Sequence, residues 1–95
     1  MVVGICRVEL ALDGVMSLKG KRSVVKRVIH RIRNRFNCAM AEVDELDQLT
    51  VAVLGFTVVA NDQRFINSCV DKIIDAIEGL GLAPIRDHQF VIETY

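Results

Sequence analysis

The chain has 95 residues, 52% of them hydrophobic, and its twelve Lys and Arg residues are cancelled by twelve Asp and Glu. A single domain of this length buries only about 60 to 65% of the surface its unfolded form exposes, so the apolar share is what one core covering residues 1–95 requires. The balance of charge excludes a chain that is basic throughout, and no run approaches the roughly 18 apolar residues of a membrane span.

Val2 to Leu12 alternates, with Val2, Cys6, Val8, Leu10 and Leu12 on one side and Arg7 and Glu9 on the other, the period of a half-buried strand. Asp13-Gly14 ends it, and Ser17 is placed to cap a helix. Val25, Val28, Ile29, Ile32 and Phe36 then recur at steps of three and four, which predicts an amphipathic helix ending at Asn37. Cys38 to Asp44 is a short, weakly alternating strand, and Asp44 to Asp47 an exposed acidic connection. Thr50 to Ala60 is β-branched and apolar in both parities, as in a strand covered on both faces. Asn61 or Asp62 caps a second helix whose stripe is Ile66, Cys69, Val70, Ile73 and Ile77; Gly79 and Gly81 stop it. Arg86 to Tyr95 is the last strand, with Phe90 and Ile92 inward and Gln89 and Glu93 outward.

The order β-α-β-β-α-β predicts a ferredoxin-like α+β sandwich, a four-stranded antiparallel sheet with both helices on one face. The opposite sheet face then carries apolar residues from the third strand together with Val3 and Ile5, and such a patch usually finds a partner. A homo-oligomer, in the simplest case a homodimer, packed through that face is expected; the alternative is a wet, modestly apolar sheet. The three cysteines, Cys6, Cys38 and Cys69, are odd in number, sit among apolar neighbours and form no CxxC pair, so they read as buried hydrophobes in a reducing compartment. Met1 to Cys6 holds no cation, and the first apolar run breaks at Arg7, which argues against a signal peptide. A cytoplasmic location is expected.

The unusual feature is the segment SLKGKRSVVKRVIHRIRNRF, Ser17 to Phe36, which holds eight of the twelve cations and no acid. On a helical wheel Arg22, Lys26 and Arg33 fall on one flank of the apolar stripe and Arg27, Arg31 and Arg35 on the other. A helix built only for solubility would mix signs and gain about 0.2 to 0.5 kcal/mol from each Glu-Lys pair four apart. Lys19, Lys21 and Arg22 also stand near the N-terminus, where the macrodipole makes a cation cost on the order of 0.3 to 1 kcal/mol. Free backbone N–H groups, the dipole and these cations suit phosphate, and repeated contacts along the helix suit a nucleic-acid backbone. The residues expected to contact it are Lys19, Lys21, Arg22, Lys26, Arg27, Arg31 and Arg33. The opposing expectation is an oligomeric interaction domain whose basic helix meets an acidic protein surface, or a helix neutralised by Glu42 to Asp47.

SLKGKRSVVK (Ser17 to Lys26), NRFN (Asn34 to Asn37), AEV (Ala41 to Val43) and AVLGFTVVAND (Ala52 to Asp62) together resemble the YlxP-like family, the small bacterial domain of unknown function numbered 503. The resemblance covers nearly the whole chain. It implies a ferredoxin-like domain with no established activity and no catalytic residues to carry over, and a gene neighbourhood of translation and transcription factors that favours structured RNA or the ribosome as partner.

Sharper chemical readings fail on spacing. GVMSLKGK, Gly14 to Lys21, has one residue too many for a phosphate-binding P-loop, and Arg22 stands where Ser or Thr is required. LGFTVVA, Leu54 to Ala60, has one aromatic, Phe56, against the several that base stacking needs. An acylphosphatase-like site would need Gly14 to Arg22 and Asn61 in a spacing they lack. Glu42, Asp44, Glu45 and Asp47 could gather a hard cation only around a sharp glycine turn that is missing, and His30 and His88 have no ligand at metal spacing. The expectation is a non-enzymatic binding module without cofactor or metal.

Overall fold

The computed structural model describes all residues 1–95, in the order β1 (Val2–Ala11), α1 (Leu18–Arg35), β2 (Ala39–Asp44), β3 (Val51–Ala60), α2 (Gln63–Gly79) and β4 (Ile85–Thr94). The sheet order is β2-β3-β1-β4 and every neighbouring pair is antiparallel, as a ferredoxin-like sandwich requires. Helix ends follow the predicted chemistry. Ser17 Oγ accepts the Gly20 N–H at 3.0 Å, and of the two candidates for the second cap it is Asp62 that accepts, from Arg64 N–H at 3.0 Å. Helix α1 stops two residues before its predicted end at Asn37, with Phe36 already extended, and α2 ends at Gly79, with Gly81 just beyond its Leu80 cap at a φ of 66°, the left-handed conformation that glycine adopts without strain.

One face of the sheet and the two helices enclose the core. Cys6, Val8 and Leu10 of β1 and Ala52, Leu54, Phe56 and Val58 of β3 meet Val25, Val28 and Ile32 of α1 and Ile66, Val70, Ile73 and Ile77 of α2. Phe56 is buried there, which settles its role as packing. Gly4 belongs to the same face, and a methyl group on it would come within 2.6 Å of Ile66 Cγ2, so its lack of a side chain lets α2 lie close to β1. No helix is long and apolar enough to cross a membrane.

The other face has no layer over it, and it divides into two halves. In register across β3, Val53 lies between Glu9 and Asp44 and is 1% exposed, beneath the ion pairs that these two acids make with Arg86 (3.4 Å) and Arg7 (3.0 Å). The half around Val3, Ile5, Thr57, Val59 and Val91 carries no charge pair. A bulge in β2 contributes to this division. Glu42 opposes Leu54 and Asp44 opposes Val53, so Val43 is an extra residue and Asp44, unlike Glu42, turns to the open face.

Candidate nucleic-acid interface

Helix α1 is 18 residues in which Leu, Lys and Arg favour the helix and the β-branched residues that do not are largely those of its apolar stripe, so it is capped by Ser17 and held chiefly by packing Val25, Val28 and Ile32. Packing that stripe turns the opposite surface to solvent. Lys19, Arg22, Lys26, Arg27, Arg31 and Arg33 are all exposed, and Arg35, on the same flank as Arg27 and Arg31, is exposed with them while its guanidinium lies 5.2 Å from the Phe36 ring centre. None of these seven is in an ion pair, since the chain's three pairs join Arg7 to Asp44, Lys21 to Glu42 and Arg86 to Glu9. His30 also faces outward, hydrogen bonded to the Asn34 side chain four residues on at 3.1 Å.

Lys21 departs from the expectation set by its charge. It is 1% exposed and points inward: its Nζ donates to the Glu45 carbonyl at 2.6 Å and the Leu46 carbonyl at 3.3 Å, and lies 3.2 Å from Glu42 Oε2. Buried, with two hydrogen bonds to carbonyls and an ion pair to Glu42, its ammonium is turned away from any incoming phosphate, and it leaves the set of contact residues. The cause is its position. Lys21 is four residues before Val25 and seven before Val28, so it stands on the buried stripe, and Glu42 faces the same layer from β2. That spacing, together with a carboxylate on an inward position of the neighbouring strand, was the available signal for an interior ion pair.

The pair also organises the acidic connection. Glu45 has φ of 54°, a left-handed conformation for a residue with a side chain, and it is held by three hydrogen bonds. Its N–H donates to Asp44 Oδ1 at 2.8 Å, and its carbonyl accepts from both Lys21 and the Gln48 N–H at 3.1 Å. The hydrogen bond from Arg7, reinforced by the Glu45 N–H, holds the Asp44 carboxyl below its usual range. Glu42 and Asp44 thus serve opposite faces of the sheet, and the acids of this segment do not converge as a cation site would need. Without Lys21, the phosphate-loop reading of Gly14 to Lys21 loses its cation as well.

The thiols are placed for packing. Burial pushes Cys6 up to about 11, and it raises Cys38 and Cys69 too; for Cys38 the nearby Cys69 adds to the rise and Arg33 opposes it.

A family described as "Protein of unknown function (DUF503)" matches residues 3–90. The uncharacterized protein YlxP of Bacillus subtilis (strain 168) is 29% identical over 62 residues, spanning 65% of this chain and 67% of its own. Among solved structures, the de novo designed protein LFR1 1, with a ferredoxin fold, superposes with a TM-score of 0.54 at 20% identity, covering 100% of this chain and 87% of its own. The de novo designed Foldit4 gives 0.52 at 14% identity, over 99% and 97%. Both likenesses are of fold alone.

Proposed function

Since the chain belongs to the DUF503 family, whose description assigns no activity, its role rests on its own surface, and we propose that it binds structured RNA through the phosphates. The contacts are Lys19, Arg22, Lys26, Arg27, Arg31 and Arg33, joined by Arg35. The observation that carries this reading is that all seven are exposed along one helix and none has an acidic partner. A helix of this length is about 27 Å long, enough to track several successive phosphates. Five of the seven are arginines, whose planar forks take two phosphate oxygens at once. The gene neighbourhood implied by the YlxP-like resemblance favours RNA among the polyanions. With no Trp and one Tyr in the chain, stacking contributes little, so recognition is by backbone and shape.

The test is binding of an RNA hairpin followed by anisotropy as salt rises from about 50 to about 200 mM. Affinity should fall log-linearly, with a slope of about 0.7 to 0.9 for each phosphate contacted. Replacing Arg22, Lys26 and Arg33 together with Ala removes one flank and should lower the slope by about 2 while leaving the helical circular dichroism unchanged. Absence of binding at about 50 mM salt, or a triple variant that binds like the parent, rejects the proposal.

A further inference from the structure

The outermost line of α1 is uncharged. Directly opposite the buried stripe of Val25, Val28 and Ile32, at about 100° per residue, stand Ser23, His30 and Asn34, which fall within about 40° of one another. All three are exposed, and Asn34 Nδ2 donates to His30 Nε2 at 3.1 Å, which leaves the ring a donor at Nδ1 and the amide an acceptor at Oδ1. The cations stand to either side. Lys19, Arg22, Lys26 and Arg33 run along one flank of this line and Arg27, Arg31 and Arg35 along the other, and none has an acidic partner.

A helix that meets one row of phosphates gains most by aiming its cations straight outward. Here two rows are held apart by the width of the helix, about 10 to 12 Å with side chains. A single strand can follow only one row at a time, and proteins that take single strands lay them in a groove with stacking aromatics. The outer surface of α1 is instead a convex ridge with no Phe, Tyr or Trp. Two backbones at a fixed separation are what a duplex presents.

We infer, taking α1 as the phosphate-binding surface proposed above, that the ligand is double-stranded RNA and that α1 lies along its minor groove. Each cation row meets the phosphates of one strand, and Ser23, His30 and Asn34 meet the 2′-hydroxyls between them. The minor groove of A-form RNA is wide and shallow enough for such a ridge and displays 2′-hydroxyls, each both donor and acceptor. The hydrogen-bonded pair of His30 and Asn34 offers one of each. B-form DNA lacks that hydroxyl, and its minor groove, about 6 Å wide, is too narrow for a helix. His30 and Asn34 are thereby specificity-determining residues, while the cations supply affinity and register.

The test compares three probes by anisotropy at about 50 mM salt: an RNA duplex of about 16 base pairs, one of its strands alone, and a DNA duplex of the same sequence. The RNA duplex should bind about tenfold tighter than either of the others, the worth of two ordinary hydrogen bonds. His30→Ala with Asn34→Ala should bring the RNA duplex to within about threefold of the DNA duplex and leave its salt slope unchanged, since no charge is removed. Arg27→Ala, Arg31→Ala and Arg35→Ala together should lower that slope by about 2. All five side chains are exposed, so the helical circular dichroism should be retained in both variants. A single strand or a DNA duplex bound as tightly as the RNA duplex overturns the inference while phosphate binding stands. So does a double variant that keeps the full preference, or a slope untouched by loss of the second row. Failure of the parent chain to bind any of the three probes rejects the phosphate reading itself, and the inference with it.

Discussion

Removing the ammonium of Lys21 leaves Glu42 Oε2, a buried oxygen with no hydrogen-bond donor of its own, and two carbonyls facing an empty site. Lys21→Ala is therefore expected to cost about 3 kcal/mol, a fall of roughly 10 to 20 °C in Tm for a domain of this size. Lys21→Met with Glu42→Leu should recover most of it, because exchanging a whole buried pair for apolar side chains spares both desolvation penalties. Calorimetry of the parent, the single and the double variant measures both steps. The same residue marks a boundary of what was legible beforehand. Its burial could be read from the steps of four and seven to Val25 and Val28, yet its charge and its place in a cationic run argued for the surface. A lysine's net charge says nothing about which side of a helix it occupies; the period does.

At the scale of the element, α1 combines a well-supported buried stripe with an N-terminal turn that its own dipole disfavours. There is no acid in the first turn, and Lys19 is its second residue. Lys19→Glu should accordingly stabilise the protein by about 0.3 to 1 kcal/mol, seen as a rise of a few degrees in Tm, and at the same time weaken RNA binding several-fold. Opposite signs in the two measurements would identify the cation as present for binding and not for folding. The elements themselves were legible because the apolar period changes cleanly from two to three-and-four and back, with Ser17 and Asp62 at the joins. The bulge at Val43 was not. Nothing in AEVD distinguishes a regular strand from one carrying an extra residue, since the choice is made by the ladder with β3 and by what Lys21 and Arg7 find on the two faces.

Over the whole molecule, a net charge of zero conceals a separation. The segment Ser17 to Phe36 carries eight cations, so the remainder, with twelve acids and four cations, is strongly negative. Retention on a charged surface depends on the face presented, not on the sum. At pH 7.5, above its pI of about 6.7, the protein should still be retained by a cation-exchange resin, and the Arg22, Lys26 and Arg33 triple alanine variant should flow through. Elution position against pH is the measurement. Were the parent chain to pass unretained, the helix would not be the dominant external field of the molecule.

The extra residue in β2 has a bearing on the history of the chain. Val43 Cγ1 occupies a point 3.0 Å from where a β-carbon at position 55 would stand, so the insertion and the glycine depend on each other. A relative shortened by that one residue would heal the ladder without moving either ion pair, and would be free to carry alanine opposite the gap. Length at one strand and side-chain size at the next are thus expected to change together across the lineage.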